Sequence, residues 1–144
     1  MGITSAICNS FKQEILEAEH NFATSGGNTF NLALYDSSAD LSKATTAYTT
    51  SEELATTGGY TAKGNALTSV TPVLDSDTAV CDFANTSWTS ASFTANGCLI
   101  FNDTATGDPA CCTIAFGGDK TVTSGTFTIE FPAAAASTAI IQIA

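Results

Sequence analysis

The segment Ser-Gly-Thr-Phe-Thr-Ile-Glu-Phe, residues 124–131, decides the fold class. Its apolar residues Phe127, Ile129 and Phe131 alternate with polar ones, and successive side chains of a strand point to opposite faces. The pattern predicts a half-buried strand, with Gly125 in the turn before it and a proline directly after it. Because one strand cannot bury its apolar face alone, other strands must supply the opposing face.

Further stretches with strand-like patterns follow along the chain, separated by clusters of Gly, Pro, Asn and Asp. They lie at residues 30–35, 66–74, 79–83, 87–101, 111–116 and 139–143. Together with the segment above, they predict an all-β fold, an antiparallel β-sandwich of about seven to eight strands. Pro72 predicts an edge strand or a bulge. The Gly-Gly-Asp-Lys motif at residues 117–120 predicts a hairpin turn, and Asn-Gly at residues 96–97 predicts either a hairpin or a bulge.

Residues 4–22 carry the helical pattern of the chain. Apolar residues recur there every three or four positions, as on one face of a helix, at Ile7, Phe11, Ile15, Ala18 and Phe22. Thr4 or Ser5 is expected to cap the helix. The predicted organisation is an N-terminal helix or arm, residues 1–24, followed by a β-sandwich domain, residues 25–144. The stripe of Ile7, Phe11, Ile15 and Phe22 is expected to dock on the chain's own sandwich or on a partner.

Residues 37–63 form a long polar stretch that predicts a loop, with few apolar anchors at Leu41, Tyr48, Leu54 and Tyr60. Long loops in small domains usually bind something or are ordered by a partner. Tyr48 and Tyr60 are therefore candidate docking residues.

The composition excludes several classes of partner. Of the 144 residues, 14 are Asp or Glu and 4 are Lys or Arg, which gives a net charge of −10. Such a surface repels nucleic acids and anionic membranes, so neither is an expected partner. No signal peptide or long apolar span is recognisable, so synthesis in a reducing cytoplasm is expected.

The residues that usually carry chemistry are few and scattered. The five cysteines show no Cys-x-x-Cys spacing and are interpreted as small buried apolar residues, so no metal or cofactor is expected.

His20, the single histidine, is expected to be exposed to solvent. Asp82, Glu130 and the adjacent pair Glu52 and Glu53 are interpreted as solvated. The alternative is that two of Asp82, Glu52 and Glu130 form an acid–base pair for glycoside hydrolysis. Trp88 is interpreted as core or rim packing, the alternative being a ligand platform.

Several segments along the chain look like segments of one group of known proteins. They are Cys-Asn-Ser-Phe-Lys-Gln-Glu-Ile-Leu-Glu-Ala-Glu-His-Asn-Phe at 8–22, Asn-Thr-Phe-Asn-Leu-Ala-Leu-Tyr at 28–35, Thr-Ala-Tyr at 46–48, Gly-Tyr-Thr-Ala-Lys-Gly at 59–64, Asp-Phe-Ala at 82–84, Leu-Ile-Phe-Asn at 99–102, Phe-Gly-Gly-Asp-Lys-Thr-Val at 116–122 and Phe-Thr-Ile-Glu-Phe-Pro at 127–132. In these segments the chain resembles small structural proteins of tailed bacteriophages.

The resemblance implies a non-enzymatic virion protein with a β-sandwich body and no catalytic residues. It also implies one continuous strand over residues 93–101, which favours a bulge at residues 96–97. The expected function is a capsid decoration or cement protein that contacts other virion proteins and forms a homo-oligomer in the virion. The alternative is a tail-associated or fibre-associated module that binds a host-surface glycan through residues 37–63 and Trp88.

Overall fold

The computed structural model describes residues 2–144 and shows an all-β, sandwich-like fold with one N-terminal helix, which confirms the predicted fold class. The elements are β1 Gly2–Ile3, β2 Ala6–Ile7, α1 Asn9–Leu16, β3 Phe30–Tyr35, β4 Asp40–Leu41, β5 Asn65–Ala66, β6 Ser69–Asp75, β7 Thr78–Phe83, β8 Thr86–Asn102, β9 Ala110–Ile129 and β10 Ile141–Ile143. They form a five-stranded sheet in the order β2-β9-β8-β3-β5, a three-stranded sheet in the order β10-β7-β6, and a parallel β1–β4 pair.

Strands β8 and β9 form a long antiparallel hairpin joined by residues 103–109. The Asn-Gly pair at residues 96–97 lies inside β8, so the interpretation as one long strand is confirmed. Residues 124–131 do not form a separate strand, because β9 runs through Gly125 and ends at Ile129. The alternating burial expected for this segment is present, with Phe127 partly buried and its neighbours exposed.

The Gly-Gly-Asp-Lys motif at residues 117–120 also lies inside β9, so the predicted hairpin turn is wrong. Ala95 of β8 pairs with Lys120, whereas Gly97 pairs with Ala115, so β9 carries extra residues at this point. The two glycines of the motif have φ angles of 77° and 140°. These angles, which are accessible mainly to glycine, allow a bulge to form without ending the strand.

The helix is much shorter than predicted, because α1 spans Asn9–Leu16 and not residues 4–22. Ala6 and Ile7 form strand β2, paired with β9, and Cys8 is the N-cap in place of Thr4 or Ser5. The helix ends where Ala18 adopts a φ of 60° and the N–H of Glu19 bonds to the C=O of Glu14 at 3.0 Å. This geometry is a Schellman motif with alanine at the position that glycine usually occupies.

One hydrophobic core joins both larger sheets and the N-terminal segment. The ring of Phe22 stacks on Phe30 of β3 with centroids 4.2 Å apart, and Phe83 of β7 lies 5.9 Å from Phe30. Phe11 is 3% exposed and Phe22 is 7% exposed. The N-terminal stripe therefore docks on the chain's own sandwich.

The three-stranded sheet has β6 at one edge and β10 at the other. Pro72 lies in β6 between Val70 and Val73, where the register with β7 shifts, which confirms the predicted edge strand with a bulge. The turn at residues 76–77 joins β6 to β7. Ala79 of β7 is exposed, whereas Val80 is buried.

We predict that Phe22→Ala lowers the free energy of unfolding by about 3–5 kcal/mol, because it removes a buried ring that stacks on Phe30. Thr61→Ala, at an exposed position, is the control and should change stability by less than about 0.5 kcal/mol. Urea denaturation followed by circular dichroism measures both values. Equal effects of the two substitutions would contradict the docking of the N-terminal segment.

Candidate functional site

The six residues expected to dock on a partner divide into buried and partly exposed groups. Phe11, Phe22 and Tyr60 are 3%, 7% and 2% exposed, so they pack inside the chain and present almost no surface to a partner. Ile7, Ile15 and Tyr48 are partly buried and pack against the edge of the core. Only the second group retains a surface that a partner can contact.

An apolar groove with a volume of about 310 Å³ lies between α1 and β10. Its apolar lining is formed by Ile7, Phe11, Ile15, Leu16, Ile141 and Ile143. Leu16 and Ile143 are 86% and 56% exposed. The sequence pattern predicted the contribution of Ile7 and Ile15 but not that of Leu16. An apolar residue outside the stripe of a predicted amphipathic helix was the signal for it.

The second candidate surface is a two-stranded ribbon formed by residues 86–95 of β8 and 116–129 of β9. In the five-stranded sheet, β3 pairs with β8 only from Gly97 onward, and β2 pairs with β9 only at residues 112–113. The ribbon therefore continues beyond the neighbouring strands of its sheet.

The outer face of the ribbon is covered by exposed hydroxyl side chains: Ser87, Thr89, Ser90, Ser92, Thr94, Thr121, Thr123, Ser124, Thr126 and Thr128. Two cross-strand pairs are hydrogen-bonded, since the hydroxyl oxygens of Ser87 and Thr128 and those of Thr94 and Thr121 are each 2.8 Å apart. Such pairs hold the hydroxyl groups in fixed positions on a pleated surface.

The inner face of the ribbon is aromatic. Trp88 is 4% exposed, and its ring lies 6.1 Å from Phe127 and 6.3 Å from Phe93. The interpretation of Trp88 as packing is confirmed, and the ring has little exposed surface on which a sugar can stack.

The long stretch between β4 and β5 is fixed to the body by Glu53. Its carboxylate accepts hydrogen bonds from the hydroxyl of Tyr48, from the hydroxyl of Tyr60 at 2.7 Å, and from the N–H of Lys63 at 2.6 Å. The expectation that Glu53 is merely solvated is therefore wrong. Burial and, after it, the Glu53 carboxylate raise the pKa of the phenols of Tyr35, Tyr48 and Tyr60.

Lys63 connects this stretch to the loop at the end of the long hairpin. Its Nζ lies 2.7 Å from Oδ1 of Asp103 and 2.8 Å from Oδ2 of Asp108. The hydrogen bonds to these two carboxylates raise the pKa of the Lys63 ammonium. The ammonium also lies 5.5 Å from the ring centroid of Tyr48, within the range of a cation–π contact.

His20 is buried, not exposed as predicted, because the chain after α1 turns inward. Its side chain has 0% exposure, and Nε2 lies 2.7 Å from a carboxylate oxygen of Glu14. Oδ1 of Asn102 accepts the N–H groups of Thr104 and Ala105, so the Asn102 amide NH₂ points at Nδ1 of His20, 3.2 Å away. Nδ1 is therefore the acceptor, and Nε2–H donates to Glu14.

Cys111 completes this buried cluster, with its Sγ 3.9 Å from Nδ1 of His20. A Cys–His–Glu order is the arrangement of an activated thiol. However, Cys111 is 0% exposed, and burial raises the pKa of its thiol well above the ordinary value. In this environment the cluster joins α1 to the long hairpin through buried hydrogen bonds.

All five cysteines are buried and free, which confirms their interpretation as small core residues. Burial raises the pKa of the thiol to about 11 for Cys8 and to about 12 for Cys81 and Cys112. The pKa of Cys98, which is also fully buried, is raised in the same way. These thiols carry little thiolate at neutral pH.

The three carboxylates considered for hydrolysis lie on different elements of the fold. Asp82 of β7 is 1% exposed, which corrects its interpretation as solvated, and its carboxylate accepts the N–H groups of Phe83 and Ile140 at 2.8 Å and 3.3 Å. Glu52 and Glu130 are exposed. Residues 2–144 contain no group of three or more His, Cys, Asp or Glu side chains placed to hold a metal ion. Within the same residues, no helix has the length and apolarity needed to cross a membrane.

Comparison of the chain with protein-family models, with curated proteins and with solved structures finds no match in any of the three.

We predict that the three tyrosines do not ionise in the folded protein near pH 10. Their pKa values are raised above the ordinary value of about 10, so the unfolded chain loses these protons first as the pH rises. The stability contributed by the buried phenols is complete below about pH 10 and declines above it. Tyrosinate absorbance should therefore appear together with the loss of native circular dichroism.

The Glu53→Gln variant keeps the phenols buried but removes the carboxylate, so its tyrosinate absorbance should appear at lower pH than in the wild type. Tyrosinate formation centred on about pH 10 in a protein that keeps its native circular dichroism would contradict the buried network.

Proposed function

We propose that the chain is a non-enzymatic structural protein of a bacteriophage virion that decorates or stabilises the capsid through protein–protein contacts. The observation that carries the proposal is the ribbon, whose outer face presents hydroxyl groups over the length of two strands. A pleated surface of this kind, with few charges, is suited to contacts that are made many times over a repetitive shell. Weak contacts of this sort sum to durable attachment when several act together.

Two further features support a docking role. The open edge of β9 along the ribbon offers backbone groups to another strand or loop, and Asp119 and Lys120 at its bulge discourage uncontrolled pairing of edges. The interior is closed by buried aromatic and aliphatic side chains from both larger sheets. In this proposal the ribbon makes the contacts with the shell, and the buried residues Phe11, Phe22 and Tyr60 stabilise the fold from inside.

The alternative, a glycan-binding module of the tail or fibre, receives less support from the geometry. Trp88 is 4% exposed, and the stretch expected to recognise the glycan is fixed by the hydrogen bonds of Glu53. Copy number in the particle distinguishes the two functions, since a shell protein is present in far more copies than a tail-tip protein.

We predict that the chain occurs in purified phage particles at a copy number comparable to that of the major capsid protein. Particles that carry its gene are purified by density gradient and the chain is counted by quantitative mass spectrometry. A few copies per particle would favour the tail-associated alternative. Absence of the chain from particles would contradict a virion role.

The contact face is tested with two matched variants. Thr126→Lys places a charged side chain on the outer face of the ribbon, and Thr61→Lys makes the same change at an exposed threonine outside the ribbon. Thr126→Lys should lower binding to capsids that lack the protein by about tenfold, and Thr61→Lys should leave binding unchanged. Equal binding of both variants would contradict the role given to the ribbon.

A further inference from the structure

The surface around the apolar groove has the form of a knob beside a hole. The groove between α1 and β10 holds about 310 Å³, and Leu16 stands at its edge with 86% of its surface exposed. A leucine this exposed makes few contacts within its own chain. Fully burying such a side chain contributes about 1.5–3 kcal/mol, so the free surface favours an apolar partner.

The exposed apolar surface continues from the groove across the three-stranded sheet. Ile143 of β10 and Leu74 of β6 both pair with Ala79 of β7, one from each side. Directly opposed residues of antiparallel strands share a face, so these three side chains form one row. Leu74 is 74% exposed, Ile143 is 56% exposed, and Ala79 is exposed between them. The row starts at the groove, because Ile143 lines it.

We infer that this surface binds a second copy of the same chain, with Leu16 of each copy inserted into the groove of the other. A two-fold interface uses the same patch on both copies, so a knob and a matching hole must lie side by side on one surface. Leu16 and the groove satisfy this requirement. The row of Leu74, Ala79 and Ile143 then extends the buried area.

The charges around the groove complement one another in this arrangement. Of the described residues that line the groove, Lys12 is the only charged one. Glu17 and Glu19 follow Leu16 in the sequence and are exposed. When Leu16 of one copy enters the groove of the other, these carboxylates approach the partner's Lys12, and the same contact forms twice. The attraction is local, whereas the net charge of −10 on each copy opposes association at a distance.

The area of the apolar surface sets the expected strength of the dimer. A stable interface buries about 800 Å² on each partner, which is more than one leucine and its groove provide. In the inferred dimer the row that ends at Leu74 supplies further apolar area. Added salt screens the repulsion between the two acidic copies, so dimerisation should strengthen as salt is raised at moderate ionic strength.

The test is sedimentation velocity of the full chain at roughly 1 to 200 µM, the range in which weak dimers dissociate. The wild type should change from monomer to dimer across this range. Leu16→Glu, Ile143→Glu and Leu74→Glu should each weaken the dimer by about tenfold or more, because each places a carboxylate in a desolvated apolar contact. Lys12→Glu should also weaken it.

Val73→Glu is the matched control. Val73 is 49% exposed and is the neighbour of Leu74 in the same strand, so its side chain points to the opposite face of the sheet. This variant has the same net charge as the three glutamate variants, and its dimer should be as strong as that of the wild type. Circular dichroism checks that every variant folds. If one test variant fails to fold, the other two still test the interface.

A wild type that stays monomeric over the whole range, also at raised salt, would overturn the inference. So would a dimer that survives all three test substitutions, or one that Val73→Glu weakens as much as Leu16→Glu does. The inference does not depend on the virion role, because dimerisation is measured on the isolated chain.

Discussion

The pairing of β8 with β9 is the interaction on which the rest of the structure depends. Near the 103–109 loop these strands form the centre of the five-stranded sheet. The side chains of β8 from Cys98 to Phe101 are fully buried there. Strand β3 adds to one side of this buried half and β2 to the other. Farther along, the same two strands leave the sheet as the ribbon. One hairpin therefore supplies both the core and the principal exposed surface.

Local sequence patterns predicted most of the fold, because the alternation of apolar and polar residues along a strand shows which side chains are buried. Residues 30–35 form β3 at the predicted bounds, and Pro72 marks the bulge in the edge strand. The length of the helix was overestimated for a physical reason. Ile7 fits a helical stripe, but its segment is held as a strand by pairing with Cys112, which is far away in the sequence. Ala18 ends the helix in a conformation that the sequence signals only when glycine is present.

The candidate site was predicted only in part. Glycines at 117–118 indicate a positive φ, but such angles occur in turns and in bulges alike, and the pairing of distant strands decides between them. The burial of His20 and the hydrogen bonding of Glu53 depend in the same way on partners supplied by other elements, Asn102 for one and Tyr60 for the other. Of the hydroxyl residues of the ribbon, Thr126 and Thr128 were visible as the outward half of the alternating pattern at residues 124–131.

In the proposed role the chain has two surfaces with different partners. The ribbon is suited to a polar, repetitive surface, and the groove with Leu16 is suited to an identical copy. The two surfaces lie on different elements, so a dimer formed through α1 and β10 leaves the hydroxyl face of the ribbon uncovered. A dimer also doubles the number of ribbons, which strengthens attachment to a shell when both ribbons reach it.

The most direct test of this account is a measurement of cross-strand nuclear Overhauser effects along the hairpin. The structure predicts contacts between the backbones of Phe93 and Val122 and between those of Trp88 and Phe127, with β8 continuing as one strand through residues 96–97. Contacts of Ala95 with Cys98, as in a local hairpin at Asn-Gly, would show that β8 folds back on itself. That result would remove both the ribbon and the hydroxyl face on which the proposed function rests.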